Sequence, residues 1–258
     1  MPSKIVSLPK SSRTLGSKWS KTQLLLKHSR LRQFVPPTLL YSYDNLRRML
    51  DRHKMVYVKP VKGTGGNGVI RVMKVNDHKY GYHAGTTPYY YSSYADLYKA
   101  LAKCKLKREY IVQQGIHLLT YRKRIFDLRI MIQKNENNKW ECSGYIGRIA
   151  HPRKIVTNFH SNGTPLPLET LLEAYLQGDK KKNYIHALTN LGYEVTKEFE
   201  KRNPGYKEIG LDIGLDAALK PWIIEVNTRP DAYIFNQLKD KRMFRRILQL
   251  KKWNGLRV

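Results

Sequence analysis

The fold of this chain is decided by the stretch Val56-Tyr57-Val58-Lys59-Pro60-Val61-Lys62-Gly63-Thr64-Gly65-Gly66-Asn67-Gly68-Val69. A short β-type run ends in Lys59, a loop with four glycines in six positions follows, and a second β-type run begins at Val69. Glycines leave backbone N–H groups free to turn toward a ligand, and consecutive N–H groups of this kind favour phosphate oxygens. The stretch therefore predicts a hairpin that covers a polyphosphate.

Other glycine-rich loops fit the sequence less well. Gly63, Gly65 and Gly68 match the spacing of a dinucleotide loop, but a β-type run follows where that loop needs a helix. No Lys-Ser/Thr pair closes the loop, as a Walker-type loop requires. A protein-kinase loop is also a strand–loop–strand, yet the chain has neither the H-R-D nor the D-F-G motif. A glycine-rich hairpin tip without any ligand remains an alternative.

A second informative stretch lies near the C-terminus, where acidic residues interrupt apolar β-type runs. Glu225 and Asn227 are two apart on one predicted strand, so their side chains share a face. If Asp212 lies on the adjoining strand, three oxygen donors converge, a set that suits Mg²⁺. The alternative is that these carboxylates form buried pairs with Arg or Lys. Asp216 is the weaker candidate, since it falls in the predicted turn.

Composition limits the class of protein. The chain has 258 residues, 41% of them hydrophobic, which is enough for one enzyme domain of two lobes. No run of 18 apolar residues occurs, so we expect no transmembrane segment. Two widely spaced cysteines predict ordinary thiols in a reducing compartment and a cytoplasmic location. The net charge of +28 favours polyanion binding or a solvated basic surface.

The order of predicted elements mixes helices with antiparallel strand pairs, which indicates an α+β fold. The expected helices include one that starts near Asp44, a candidate N-cap, and a closing basic helix from Phe235 to about Lys252. Helical periodicity also covers 167–177 and 184–201.

Taken in order, these pieces resemble the ATP-grasp superfamily of carboxylate–amine ligases, over about Gly16 to the C-terminus. In that family a strand ending in Lys-Pro precedes the glycine-rich loop, a hinge strand contacts adenine, and Asp-x-Arg, a strand arginine, an asparagine and G-x-D…E-x-N follow. The matching residues here are Lys59-Pro60, Tyr110–Ile116, Asp127-Leu128-Arg129, Arg148, Asn158, Gly210, Asp212, Glu225 and Asn227.

Within the superfamily, the motifs most resemble those of the YheC/YheD-like, endospore coat-associated branch. The segments that indicate this are Lys18-Trp19-Ser20-Lys21 and the Gln-Gln-Gly-Ile hinge. The expected organisation is a basic tail over 1–15 and an ATP-grasp domain over 16–258. Within it, 16–115 forms the N-terminal lobe and 116–258 the C-terminal lobe, and the two lobes grip ATP. From the resemblance we expect the domain that usually precedes the first lysine to be largely absent.

The resemblance also implies a role for each site residue. ATP would be bound by lysines, the loop and the hinge, namely Lys18, Lys59, Gly63, Gly65, Gly66, Asn67, Gly68, Gln113, Gln114 and Ile116. Mg²⁺ would be held by Asp212, Glu225 and Asn227. Arg148 would stabilise the charge of the transferred phosphoryl group, and Arg129 would bind phosphate or a substrate carboxylate.

Two functions of different classes follow. The first is an ATP-dependent ligase that joins a carboxylate to an amine through an acylphosphate, on an amino acid, peptide or protein, with spore coat formation as the implied setting. The second is a non-catalytic binding protein on the same scaffold, which docks acidic proteins or anionic polymers through its +28 charge.

Overall fold

A computed structural model describes residues 15–63, 65–151 and 163–257 of the chain. Within them two antiparallel sheets are each accompanied by helices, so the predicted α+β class is confirmed. The helices are α1 (Lys18–Lys27), α2 (Tyr43–His53), α3 (Tyr94–Cys104), α4 (Leu168–Leu172), α5 (Gly178–Arg202) and α6 (Arg242–Trp253), with 3₁₀ turns at Leu31–Phe34 and Tyr233–Gln237.

The first sheet has the strand order β1-β6-β2-β3-β4-β5. Its strands are β1 (Thr38–Leu40), β2 (Met55–Pro60), β3 (Ile70–Asn76), β4 (Lys79–Ala84), β5 (Thr87–Tyr91) and β6 (Tyr110–Gln114). Helix α2 places Leu46, Met49 and Leu50 on one face, at the spacing that an amphipathic helix needs, and buries them against this sheet. The predicted glycine-rich hairpin is present as β2 and β3.

The second sheet has the order β10-β9-β8-β11-β12, and β7 pairs with β8 beside this path. Its strands are β7 (Thr120–Tyr121), β8 (Arg124–Lys134), β9 (Trp140–Ile149), β10 (Thr164–Leu166), β11 (Glu208–Leu215) and β12 (Pro221–Asn227). Strand β8 is buried on both faces: Ile130 packs in the core that α5 covers, and Met131 packs under α6. This explains the near-continuous apolar runs of the sequence.

The first helix links the two sheets. Leu25 of α1, with Leu31 and Val35, packs in the core of the second sheet, although these residues precede the first sheet in the sequence. The N–H of Lys18 donates to the carbonyl of Val61 at the end of the first hairpin arm (2.9 Å). The start of the chain's described part is therefore fixed to both halves of the molecule. The division at 115/116 stays a prediction.

Several predicted boundaries are wrong in instructive ways. The helix expected over 167–177 is only α4, because the chain turns before a separate helix begins at Gly178. The C-terminal helix starts at Arg242, whose N–H is bound by the Asp240 side chain, and not at Phe235. Helix α2 is capped by Ser42 rather than by Asp44. None of the helices in the described ranges is long and apolar enough to cross a membrane.

Candidate active site

A cleft lies between the two sheets, where the hairpin β2–β3 faces β11 and β12. It encloses about 860 Å³ not occupied by protein atoms, with the space at its open mouth included, and this lies in the range of nucleotide-sized pockets. One part of its wall is apolar, formed by Val69, Ile116, Leu118, Ile125 and Ile224. The other part carries most of the predicted charged site residues.

The glycine-rich loop forms one rim of the cleft. Four of its residues have left-handed φ angles, +146° at Gly63, +68° at Gly65, +79° at Gly66 and +74° at Gly68. Gly68 has a second constraint, because a Cβ there would lie 2.9 Å from the Tyr110 hydroxyl. Of the predicted loop residues, Gly63, Gly66 and Asn67 line the cleft, whereas Gly65 and Gly68 shape the turn.

Lys59 lies at the floor of the cleft, close to the end of β2 that leads into the glycine-rich loop. Its ammonium donates to Oε1 of Gln113 (2.5 Å), and Nε2 of Gln113 donates in turn to the Thr38 hydroxyl (3.2 Å). Burial lowers the pKa of Lys59 to about 8, and the carboxylate of Glu225 opposes this decrease. A desolvated ammonium with one neutral acceptor is well suited to bind an incoming anion.

Lys18 joins the loop to the opposite sheet. Ser17 and Ser20 form a capping box at the start of α1, which orients the first residue of the helix. From there the ammonium of Lys18 donates both to the carbonyl of Gly63 (2.7 Å) and to Oε1 of Glu225 (2.7 Å). Lys18 therefore already has two acceptors in the protein, and its contact with phosphates stays a prediction.

The segment predicted to be the hinge lies at the end of β6 and just after it. Gln113, Gln114 and Ile116 all line the cleft, next to its apolar wall. The Gln113 side chain is occupied by Lys59 and Thr38, and its backbone pairs with Tyr57 of β2, so Gln114 and Ile116 are better placed than Gln113 to contact a ligand.

The predicted metal ligands converge from two neighbouring strands. Asp212 of β11 lies opposite Glu225 of β12 in the register, and Gly210 lies opposite Asn227. Both carboxylates line the cleft, and Nδ2 of Asn227 lies 3.4 Å from Oδ2 of Asp212. The convergence expected from the sequence is thus observed.

Each of these carboxylates also has a cationic partner, as the alternative interpretation expected. Asp212 accepts hydrogen bonds from Nε and Nη2 of Arg129 and lies 3.1 Å from Nη2 of Arg148. These two guanidinium groups outweigh the burial of Asp212 and hold its pKa well below the usual range.

Arg148 is bound by a second acid. Its Nε and Nη2 donate to the two carboxylate oxygens of Asp127, at 2.8 and 2.5 Å. Although burial opposes it, the pKa of Arg148 is raised by Asp127 and then by Asp212. Arg129, Asp212, Arg148 and Asp127 therefore form one buried chain of alternating charge across β8, β9 and β11. Asn158 lies outside the described residues.

The sequence matches the model of the YheC/D-like ATP-grasp family over residues 8–251. The chain belongs to this family. It is 27% identical over 235 residues to the endospore coat-associated protein YheD of Bacillus subtilis (strain 168), a match that covers 89% of this chain and 51% of YheD. It is 25% identical to YheC of the same organism over 226 residues, 84% of this chain and 61% of YheC. The chain thus spans about half the length of YheD.

Solved structures show the same fold at low sequence identity. One is N5-carboxyaminoimidazole synthetase from Staphylococcus aureus in complex with ADP, with a TM-score of 0.54, 11% identity, and 95% of this chain and 52% of that chain covered. Another is the D-cycloserine synthetase DcsG, with a TM-score of 0.51, 12% identity, and coverage of 91% and 69%. The family match and these structures confirm the ATP-grasp fold.

The donors of this ATP-grasp cleft fit a magnesium ion. Asp212 and Glu225 line the cleft and offer carboxylate oxygens, which Mg²⁺ prefers, whereas the Asn227 amide turns Nδ2 toward Asp212 and would have to present Oδ1 to the ion. No group of three His, Cys, Asp or Glu able to hold a metal occurs in the part of the chain that the structure describes. Two carboxylates leave coordination positions that phosphate oxygens and water normally fill.

Sequence analysis named two further charged residues of this site, Asp127 in the Asp-x-Arg match and Lys21 in the Lys18–Lys21 cue, but gave neither of them a role. Asp127 lines the cleft and holds Arg148, and the signal was an acid inside an otherwise apolar strand. Lys21 lies one helical turn after Lys18, and burial lowers its pKa while Glu225 opposes the decrease. The spacing of the two lysines on α1 was the available signal. Asp216 is a turn residue, as expected, and accepts from the Trp222 indole (2.8 Å).

Proposed function

We propose that the protein is an ATP-dependent ligase that joins a carboxylate to an amine through an acylphosphate. The observation that carries this proposal is the convergence of two sets of groups in one cleft. Lys59 and the glycine-rich loop come from the first sheet, whereas Asp212 and Glu225 come from the second. This arrangement supports the binding of a polyphosphate between the sheets, with a metal on one side.

In this proposal ATP lies along the cleft with its base against the apolar wall. Ile116, Leu118 and Ile224 would contact adenine, and backbone groups near Gln114 would bind its edge. The phosphates would then reach Lys59 and the amides of the glycine-rich loop. Phosphate charge would favour the ammonium form of Lys59, whose pKa burial has lowered to about 8.

Mg²⁺ held by Asp212, Glu225 and Asn227 would neutralise the charge of the phosphates that it binds. The two arginines act beside it. Both use Nε and Nη2 for carboxylates, and no described residue is bonded to Nη1 of either one. Both guanidinium groups are buried and neither residue lines the cleft, so Arg148 and Arg129 would reach the transferred phosphoryl group or a substrate carboxylate only through this Nη1 edge.

The reaction consists of two displacements. An oxygen of the substrate carboxylate attacks the γ-phosphorus, the bond to the β–γ bridging oxygen breaks, and ADP leaves. The amine then attacks the acyl carbon, the C–O bond to phosphate breaks, and the amine loses a proton to solvent. No protein nucleophile is needed, so catalysis would come from positioning and electrostatic stabilisation.

The deciding experiment is a screen for ADP release with amino acids and acidic peptides, with mass spectrometry of the products. We expect Mg²⁺-dependent ADP release that Glu225→Gln abolishes. Glu173→Gln is the matched control, since Glu173 is an exposed acid that pairs with Lys181 on the helical side of the second sheet. If Glu225→Gln released ADP at the wild-type rate, the assignment of the metal site would be wrong.

One observation favours the second candidate, a non-catalytic protein that binds acidic proteins or anionic polymers. Asp212 is already paired with two arginines and Glu225 with Lys18, so both carboxylates are compensated by the protein itself. With the net charge of +28, polyanion binding that needs neither ATP nor Mg²⁺, together with no turnover on any substrate, would support this candidate.

The names of YheD and YheC also suggest where the protein acts. We infer synthesis in the cytoplasm and association with the coat of endospores. Immunodetection in extracts of purified spore coats should find the protein there, and its confinement to the vegetative cytoplasm would contradict this inference.

A further inference from the structure

A two-residue turn, Arg122–Lys123, joins β7 to β8 beside the cleft. Both residues have left-handed backbone angles, with φ of +49° and +63°. Hairpin turns of this kind normally contain Asn-Gly, because glycine and the short polar side chain of Asn tolerate this conformation whereas longer side chains are disfavoured in it. The chain therefore has two long cationic side chains at positions where a turn without backbone strain would have Asn and Gly.

Neighbouring side chains hold this turn in place. The Tyr175 hydroxyl donates to the carbonyl of Thr120 (2.5 Å) and accepts from its N–H (3.1 Å). On the other arm, Nε of Arg124 donates to the carbonyl of Ala150 (2.8 Å). Strained backbone persists where the surroundings fix it in this way, and such places are often functional.

The two cations at the tip are free to bind a ligand. Both are exposed, and neither has a hydrogen bond or ion pair with a described residue. Arg122 only lies over the ring of Tyr121, 5.4 Å from its centroid. Some exposed cations of the chain do have acidic partners, as Arg242 has in Asp240.

The turn is also placed at the mouth of the cleft. Leu118 precedes β7 and Ile125 follows the turn, and both line the cleft. Asp127, the next residue on the same side of β8, lies deeper in it. Arg122 and Lys123 lie three and two residues before Ile125, so at the rise of an extended chain the tip is within about 10 Å of this wall.

We propose that the carboxylate substrate is an acidic peptide and that Arg122 and Lys123 bind a second anionic group of this peptide. One carboxylate would reach the phosphates inside the cleft while another, about 10 Å along the peptide, is held at the turn. This inference rests on the proposed ligase function and names its substrate class.

Direct binding of fluorescein-labelled hexaglutamate, followed by anisotropy, tests the inference without turnover. Arg122→Gln/Lys123→Gln should weaken binding about tenfold, as expected for the loss of two charge-assisted contacts. Lys99→Gln/Lys103→Gln is the matched control, because it removes two exposed lysines from α3 on the other sheet. We expect its effect to stay below about twofold. Equal losses in both variants, or none at the turn, would overturn the inference.

A second variant separates binding from folding. Arg122→Asn/Lys123→Gly should bind hexaglutamate as weakly as the glutamine variant, yet raise Tm by about 3 °C because strain is relieved. A lower Tm would contradict the strain argument. If linear polyphosphate of equal charge lost affinity by the same factor, the assignment to a peptide would be wrong. ADP binding to the wild type is measured in parallel, so its absence would refute the ligase proposal independently of the turn.

Discussion

Lys59 gives the most quantitative prediction, because its burial links the chemistry of the site to stability. Its pKa is about 8 in the folded protein, against the ordinary 10.5 of a lysine in the unfolded chain. Below about pH 8 the lysine is charged in both states, so the cost of burying the ammonium is largest there. The unfolded chain binds the extra proton only between about pH 8 and pH 10.5, and stability rises over that interval. The deficit disappears as pH rises above 10.5.

The magnitude follows from the two pKa values. Integration of the proton linkage between about pH 7 and pH 9.5 gives an increase of about 2 kcal/mol in the free energy of unfolding. Lys59→Met removes this titration and leaves the other lysines unchanged, so the wild type should gain about 2 kcal/mol more than the variant over this interval.

The assay is urea unfolding at both pH values, with Lys54→Met as control. Lys54 is an exposed lysine at the C-terminal end of α2. Only the difference in pH dependence is used, because the methionine variant also leaves Oε1 of Gln113 without its donor at every pH. If wild type and Lys59→Met changed in parallel, the buried ammonium would be solvated and the argument refuted. Saturating ATP should reduce the difference, since phosphate charge favours the ammonium form.

Three other changes test separate parts of the site and the fold. Gly68→Ala should lower stability by about 2 kcal/mol in urea unfolding and raise KM for ATP, since φ is +74° and the new Cβ meets a hydroxyl at 2.9 Å; an unchanged KM would remove Gly68 from the phosphate loop. Asp127→Asn should lower turnover about tenfold while ADP binding stays within about twofold, because Arg148 loses its orienting acid; a loss of ADP binding instead would place Asp127 at the nucleotide. Lys251→Met should cost about 3 kcal/mol near neutral pH, since it leaves the buried Glu208 carboxylate unpaired. Burial raises the pKa of Glu208, so this cost should fall as acid protonates the carboxyl, and a cost independent of pH would contradict the pairing.

The sequence was most informative where function depends on neighbours along the chain. The glycine spacing of 63–68 and the Glu225–Asn227 alternation each fix local geometry, so the loop and one side of the acidic site could be predicted. Strand limits were also predictable where an apolar run ended in polar residues, as at Tyr110–Gln114.

Features that depend on strand register could not be predicted in this way. Arg129 meets Asp212 only because β8 pairs with β11 in one particular register, and a shift of one residue would send the guanidinium to the other face. The contact of Lys18 with Glu225 joins residues 207 positions apart. For this reason the sequence alone could not decide between a metal site and a buried ion pair. The structure has both the neighbouring carboxylates of the first and the cationic partners of the second.

Buried acids beside the proposed phosphate site would repel phosphate if they were unpaired, but their cationic partners remove this difficulty. Asp127 and Asp212 hold two arginines by Nε and Nη2, which fixes the guanidinium planes and leaves Nη1 of each without a partner among the described residues. Glu225 is different, because it is only partly buried and pairs with the flexible ammonium of Lys18. A magnesium ion at Glu225 would compete with Lys18 for the same carboxylate. Released from it, Lys18 would still be held near Gly63 and the loop, where its charge can reach the phosphates. Metal binding and closure of the loop over ATP are therefore expected to be coupled through Lys18, and Lys18→Met should weaken the dependence of ADP affinity on Mg²⁺.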